Sequence, residues 1–203
     1  MLSTILSWTA VGLILVTSIG LLISRDWRWS LGLLAAQYLA MFWLVALHWP
    51  FGLASVKLVT GWMASATLGV TRLGMSESEE PNESAWPQGR LFRLFAALIV
   101  VMLVIAITPQ VETIIPGINR PVIAGGLLLA GMGLLHLGIT AEILRITLGL
   151  LTVLAGFELL YATVETSILL AGLLAIVNLG LALACAYLMT ASPAQEVEKG
   201  LLE

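Results

Sequence analysis

The sequence predicts an all-α polytopic membrane protein with seven transmembrane helices, arranged as two parallel three-helix repeats joined by a linking helix. Three observations predict it. Of 203 residues, 60% are apolar and 10% are charged, and the mean hydropathy is +1.04. A soluble domain carries roughly 45–50% apolar and about 25% charged residues, so this composition cannot clothe a water-facing surface. Apolar stretches of about 20 residues, the length that crosses the hydrocarbon layer, recur along the whole chain. Finally, Arg28-Trp-Ser-Leu-Gly-Leu-Leu34 returns as Arg145-Ile-Thr-Leu-Gly-Leu-Leu151 at an offset of 117 residues.

The first helix is read over 5–23. It lacks a basic n-region and a small-residue cleavage signal, so a retained helix is expected rather than a removed signal peptide. The turn Arg25-Asp26-Trp27-Arg28 leads into a second helix over 30–48, and His48-Trp49-Pro50 separates that from a third over 52–73, which contains Lys57. A long polar segment, Ser76 to Gly89 with Glu77, Glu79, Glu80 and Glu83, precedes the fourth helix at 92–109. Turn residues from Pro109 to Pro121, with Pro116-Gly117 among them, lead to a fifth helix at 121–140. The sixth, 143–164, contains Glu158, and the seventh, 167–189, contains Asn178. The chain therefore divides into a first repeat (1–75), an acidic cytoplasmic loop (76–91), a linking helix with an outer loop (92–117), a second repeat (118–190) and a cytoplasmic tail (191–203).

Basic residues set the expected orientation. With alternating sides, Arg25, Arg28, Arg72, Arg90, Arg93, Arg145 and Lys199 fall on one face and Arg120 alone on the other. The positive-inside rule puts the basic face in the cytoplasm, with the amino terminus outside and the carboxy terminus inside. The 117-residue offset carries the first three helices onto the last three. The intervening fourth helix restores the direction of the first unit, so the repeat is parallel about an axis along the membrane normal. The plainer reading is that Leu- and Gly-rich membrane segments look alike.

Charged side chains inside a bilayer cost on the order of 2.5–3.5 kcal/mol each, so those present need a partner or a task. Only Lys57 and Glu158 sit well inside spans. Glu158 lies about 20 Å along its helix from Arg145 at about 1.5 Å per residue, in the outer half of the membrane. Lys57 follows Pro50 at a similar depth. Two roles are open to them: an ion pair that docks one repeat on the other, or a protonatable relay at Glu158 whose proton affinity is set by desolvation against the Lys57 charge.

Glu158, Tyr161 and Glu165 are spaced i, i+3, i+7, which places them on one helical face stepping toward the outer surface, the arrangement a proton path needs. Interfacial anchoring accounts equally for Tyr161 and Glu165. Toward the cytoplasm the same stripe is Leu154 and Leu151, which conducts nothing by itself. Gln37 and Asn178 are uncharged, and hydrogen bonding between helices explains them more simply than transport. Gly125, Gly126, Gly131 and Gly133 suit close helix packing and form no phosphate loop, since no strand or Lys-Ser/Thr accompanies them.

Other functions are excluded on composition. Nine Lys and Arg against twelve Asp and Glu give a net charge of −3, which is no footprint for nucleic acid. A single cysteine, Cys185, and two separated histidines leave no ligand set for haem, an iron–sulfur cluster or a metal. No cofactor and no catalytic residue are expected on this chain.

The stretch from Arg145 to Ala162, ending Ala155-Gly156-Phe157-Glu158-Leu159-Leu160-Tyr161-Ala162, resembles the second helix of the small K-type (chain 4L) subunit of NADH–quinone oxidoreductase, which follows a basic cytoplasmic loop and carries a Gly-x-Glu motif. Ala175-Ile176-Val177-Asn178-Leu179-Gly180-Leu181-Ala182-Leu183 is similar to that subunit's third helix. The two matches lie within about 120–190. As a whole, the duplicated chain resembles the longer relatives in energy-converting membrane hydrogenases (the E component) and the C-type subunits of multisubunit cation/proton antiporters.

The resemblance implies a non-catalytic subunit of a proton- or cation-translocating complex in a prokaryotic cytoplasmic membrane, with Glu158 on a carboxylate implicated in proton translocation. Its implied partners are the lipid bilayer, larger antiporter-like membrane subunits and a peripheral oxidoreductase arm. The basic cytoplasmic loop residues are Arg28 and Arg145. The chain departs from the family at Ile176, where the K-type third helix carries a second glutamate, and at Met41, the first-repeat position matching Glu158. A structural assembly subunit and a stand-alone secondary transporter remain as alternatives.

Overall fold

The structure, a computed structural model, describes the backbone of residues 2–47, 50–75, 89–114, 117–164 and 167–200, and side chains within 4–191 of those segments. Their regular structure is helical throughout: α1 (Leu2–Ile23), α2 (Trp27–Ala46), α3 (Phe51–Gly74), α4 (Arg90–Ile114), α5 (Arg120–Ile139), α6 (Ile143–Tyr161) and α7 (Ile168–Gly200). All seven are long and apolar enough to cross a membrane. The protein is thus an all-α polytopic membrane protein.

Several helix ends differ from expectation for local reasons. α2 begins three residues early because Asp26 caps it, its carboxylate accepting from the Arg28 N–H at 2.8 Å. Such a cap satisfies one of the donors left over at a helix start. α4 continues five residues past Pro109. Proline forfeits one i→i−4 bond, and beside it the Thr108 hydroxyl donates to the Val104 carbonyl at 2.6 Å. α6 stops at Tyr161 rather than 164. There the Thr163 and Val164 N–H groups make tight bonds to the Leu160 and Tyr161 carbonyls, and the Thr163 hydroxyl also donates to Leu160. α7 runs past the expected end at 189, to Gly200.

Consecutive helices pack as hairpins, α1 with α2, α2 with α3, α5 with α6 and α6 with α7. Across the molecule α1 also packs on α5, α2 on α6 and α3 on α7. These are the three pairs related by the 117-residue offset. α4 lies against α5 and α1, and α4 and α7 are the least enclosed helices while α6 is the most. The core is built from aliphatic side chains of both halves, among them Ile14, Leu34, Leu44, Ile123, Leu129, Leu148, Leu151 and Leu159.

The α5–α6 contact brings two backbones together. A Cβ on Gly156 would fall 2.6 Å from the Ala130 nitrogen and 2.7 Å from the Gly126 carbonyl oxygen, and one on Gly133 would fall 2.7 Å from the Val153 nitrogen. Lipid is as apolar as leucine, so such close approach, rather than hydrophobic drive, holds helices together in a bilayer.

At the end of the bundle that carries Arg25, Arg93 and Arg145, buried guanidinium groups reach free carbonyls. Arg93 donates to Leu22 at 3.0 Å. Arg145 donates to Arg25 at 3.3 Å and to the Glu142 carboxylate at 2.8 Å. Cations suit the carbonyl-rich end of α1, where the helix dipole is negative. Arg28, by contrast, is exposed and lies 5.3 Å over the Trp27 ring.

Candidate functional site: a buried polar cluster between four helices

Helical periodicity places four polar side chains on otherwise apolar inward stripes. On α3 the buried positions include Ala54, Lys57, Gly61, Ala64 and Leu68. On α6 they include Leu148, Leu151, Ala155 and Glu158. On α2 they include Leu31, Leu34, Tyr38 and Met41, and on α7 Ala171, Asn178, Ala182 and Cys185. Spacings of three, four and, from Ala171 to Asn178, seven keep each set on one face. Each polar member is therefore turned into the bundle by its apolar neighbours.

These four meet. The Lys57 ammonium lies 3.1 Å from Oε2 of Glu158. The Asn178 amide Nδ2 donates to Oε1 of the same carboxylate at 2.7 Å, and the Tyr38 hydroxyl donates to Oδ1 of Asn178 at 3.2 Å. All four residues are 1% exposed. A lone charge at that burial would be expensive, whereas opposite charges in contact offset each other's lost hydration. The two carboxylate oxygens are not equivalent: Oε1 accepts from a neutral amide, while Oε2 lies beside a cation.

Measured from the ends opposite the arginine cluster, the four residues step inward. Glu158 is three residues from Tyr161, Lys57 six from Phe51, Tyr38 eight from Ala46 and Asn178 ten from Ile168, or about 5 to 15 Å at about 1.5 Å per residue. Lys57 and Tyr38 belong to the first three helices, Glu158 and Asn178 to the last three. The 117-residue offset relates Lys57 to Leu174, Tyr38 to Ala155, Glu158 to Met41 and Asn178 to Gly61. The sequence thus provides for the cluster only once.

Gly61 has a specific task here. A Cβ on it would lie 2.1 Å from Cγ of the Tyr38 ring. The ring therefore lies against bare α3 backbone, which brings its hydroxyl to Asn178.

The structure brings Lys57 and Glu158 together, as the depth argument expected of a pair. Of the expected outward stripe, the described residues include Glu158 and Tyr161. Tyr161 is the last residue of α6, half-buried, with its ring 6.0 Å from Phe157 in a stacked arrangement, and Phe157 is 52% exposed. The helix ends at Tyr161, three residues past Glu158. Glu165 itself lies outside the described residues, as do His48 and the 76–88 segment. Gln37 does bond between helices, its Nε2 donating to the Ser18 hydroxyl on α1 at 3.2 Å. Among the described residues no group of His, Cys, Asp and Glu could hold a metal ion.

Tyr38 is the member of the cluster that periodicity and charge did not single out. The available signal was its depth. Tyrosines in membrane proteins favour the interfaces, and one near the middle of an apolar span has a hydroxyl that must find a buried partner. Compared with family models, with curated proteins and with solved structures, the chain matches none.

Proposed function

We propose that this chain is a membrane subunit of a proton- or cation-translocating complex, and that Glu158, paired with Lys57, is its ion-exchanging group. The observation that carries the reading is a carboxylate held inside the bundle, 3.1 Å from an ammonium, where helices of both halves converge. Intramembrane ionisable groups of this kind mark ion and proton pathways more often than they serve packing alone. The resemblance to K-type subunits supports the same assignment. It also supports the partners: larger antiporter-like membrane subunits, with any redox chemistry on a peripheral oxidoreductase arm. On this reading the chain sits in a prokaryotic cytoplasmic membrane with its amino terminus outside and the arginine-rich end inside.

The rival reading, a purely structural subunit, draws on the same pair as a lock between the two halves. A stand-alone transporter would favour helices broken near the midplane in both halves. The described helices run unbroken through their centres, and Pro109 lies close to the end of α4.

Transport by the assembled complex in liposomes separates these readings. Glu158→Gln should reduce ion flux at least tenfold while the complex still assembles. The Lys57→Met/Glu158→Gln double variant, which strands no charge, should be equally inactive. Full flux in either variant refutes an ion-exchanging role for Glu158.

A further inference from the structure

We propose that Tyr38 is a positioning residue for Glu158: by fixing the Asn178 amide it keeps Oε1 of the carboxylate engaged, so that Oε2, beside Lys57, is the oxygen that gains and loses a proton. This rests on the reading of Glu158 as the ion-exchanging group.

The chemistry of the three side chains sets the direction of every bond. An ionised carboxylate only accepts, so the Asn178 amide must turn its NH2 toward Glu158. Its carbonyl oxygen then points away into the bundle, where it needs a donor. Tyr38 supplies one at 3.2 Å. The hydroxyl therefore makes one amide orientation the stable one, in a place where the flipped form would set two oxygens against each other. The phenol ring lies against Gly61, where even a methyl carbon would fall 2.1 Å from it, and is 1% exposed, so it has little freedom to leave.

The result is a carboxylate with two unlike oxygens. Oε1 holds a directed 2.7 Å bond from Asn178. Oε2 faces the Lys57 ammonium at 3.1 Å, and a carboxylate oxygen has two lone pairs, so one is left for an incoming proton. Proton gain from a hydronium ion forms one O–H bond at Oε2 as one O–H bond of the hydronium breaks to leave water, and the pair changes from net neutral to a single positive charge on Lys57. Proton loss reverses it. Tyr38 touches neither the proton nor the carboxylate, and acts through Asn178. A hydroxyl that only glued α2 to α7 would give the same distance, but it would have no influence on the electronic state of Glu158.

Isotope-edited infrared spectroscopy of the reconstituted complex reads that influence. The Glu158 carboxylate band is identified as the one lost in Glu158→Gln. Tyr38→Phe, which keeps the ring against Gly61, should shift this band and lower ion flux about three- to tenfold, the range expected for one neutral hydrogen bond. Asn178→Leu should also shift the band, and adding Tyr38→Phe to it should produce no further shift. If leucine prevents assembly, Asn178→Ala serves the same comparison. An unmoved band in Tyr38→Phe, or independent shifts that add in the double variant, overturns the positioning role even if Glu158→Gln is inactive. Full flux in Glu158→Gln instead overturns the ion-exchange reading, and with it the role of Oε2, whatever the bands show.

Discussion

Removal of the Lys57 charge should destabilise the fold by an amount the geometry allows us to state. At 3.1 Å, with an effective dielectric constant of about 20, two unit charges attract by about 5 kcal/mol. Part of that offsets the cost of taking both out of water, so the pair's net contribution is small. Deleting one partner is another matter, because it leaves the second charge buried and uncompensated, typically at about 3–5 kcal/mol. Lys57→Met keeps the length and volume of the side chain, and Asn178 still donates to Oε1 of Glu158, which softens the penalty toward about 3 kcal/mol. Glu158→Gln strands the ammonium instead, at a similar cost. The Lys57→Met/Glu158→Gln variant removes both charges and should lie within about 1 kcal/mol of wild type. The singles and the double then define a coupling energy of about 5–7 kcal/mol in magnitude. Reversible unfolding in mixed micelles, followed by the fluorescence of the seven tryptophans, measures all four proteins. Additivity within about 0.5 kcal/mol would refute the argument, since residues that do not interact behave that way.

Two further outcomes test the packing and the orientation. Gly156→Ala should destabilise by at least about 1–3 kcal/mol, because its new methyl group would meet the backbone of α5 at 2.6 and 2.7 Å and backbone cannot step aside as a side chain can. Gly180→Ala, also helical but with nothing within 4 Å of the new atom, should be neutral or stabilising by about 0.5–1 kcal/mol; equal effects in the same unfolding assay would mean that α5 and α6 do not pack this closely. Cysteine labelling checks the sidedness argued from the basic residues. The one native thiol, Cys185, is buried, so single cysteines at the exposed positions Gly89 and Phe51 can be read against it. An impermeant reagent should label the first only from the cytoplasmic side and the second only from outside, and the reverse pattern would invert the topology.

Much of the architecture was legible without coordinates because spanning is a local property. Whether about 20 residues can sit in hydrocarbon depends on those residues and little else, so the seven spans emerged in order, with errors only at their ends. Those errors had causes a few residues long: the Asp26 cap, the continuation past Pro109, and the tight turn after Tyr161. Lys57 and Glu158 stood out for the same reason, as isolated charges where charge is costly. Their common depth followed from counting residues at a fixed rise.

The partners of those charges were a different kind of question. Tyr38 and Asn178 are 140 residues apart and Lys57 and Glu158 are 101 apart, and what joins them is the rotation of each helix about its own axis. That rotation is set by all the apolar contacts along a helix together, and by notches such as Gly61, where the absence of one methyl group admits a ring. Hydropathy does not encode it. The end of α6 has a related cause: the sixth span was expected to run to 164, and the bonds of a turn close it at Tyr161. The amino-acid sequence by itself determined that this protein lives in a membrane, how many times its chain crosses, and which two charges have to be compensated. Tertiary packing alone decided that these two charges meet each other, and that Asn178 and Tyr38 on two further helices complete the cluster.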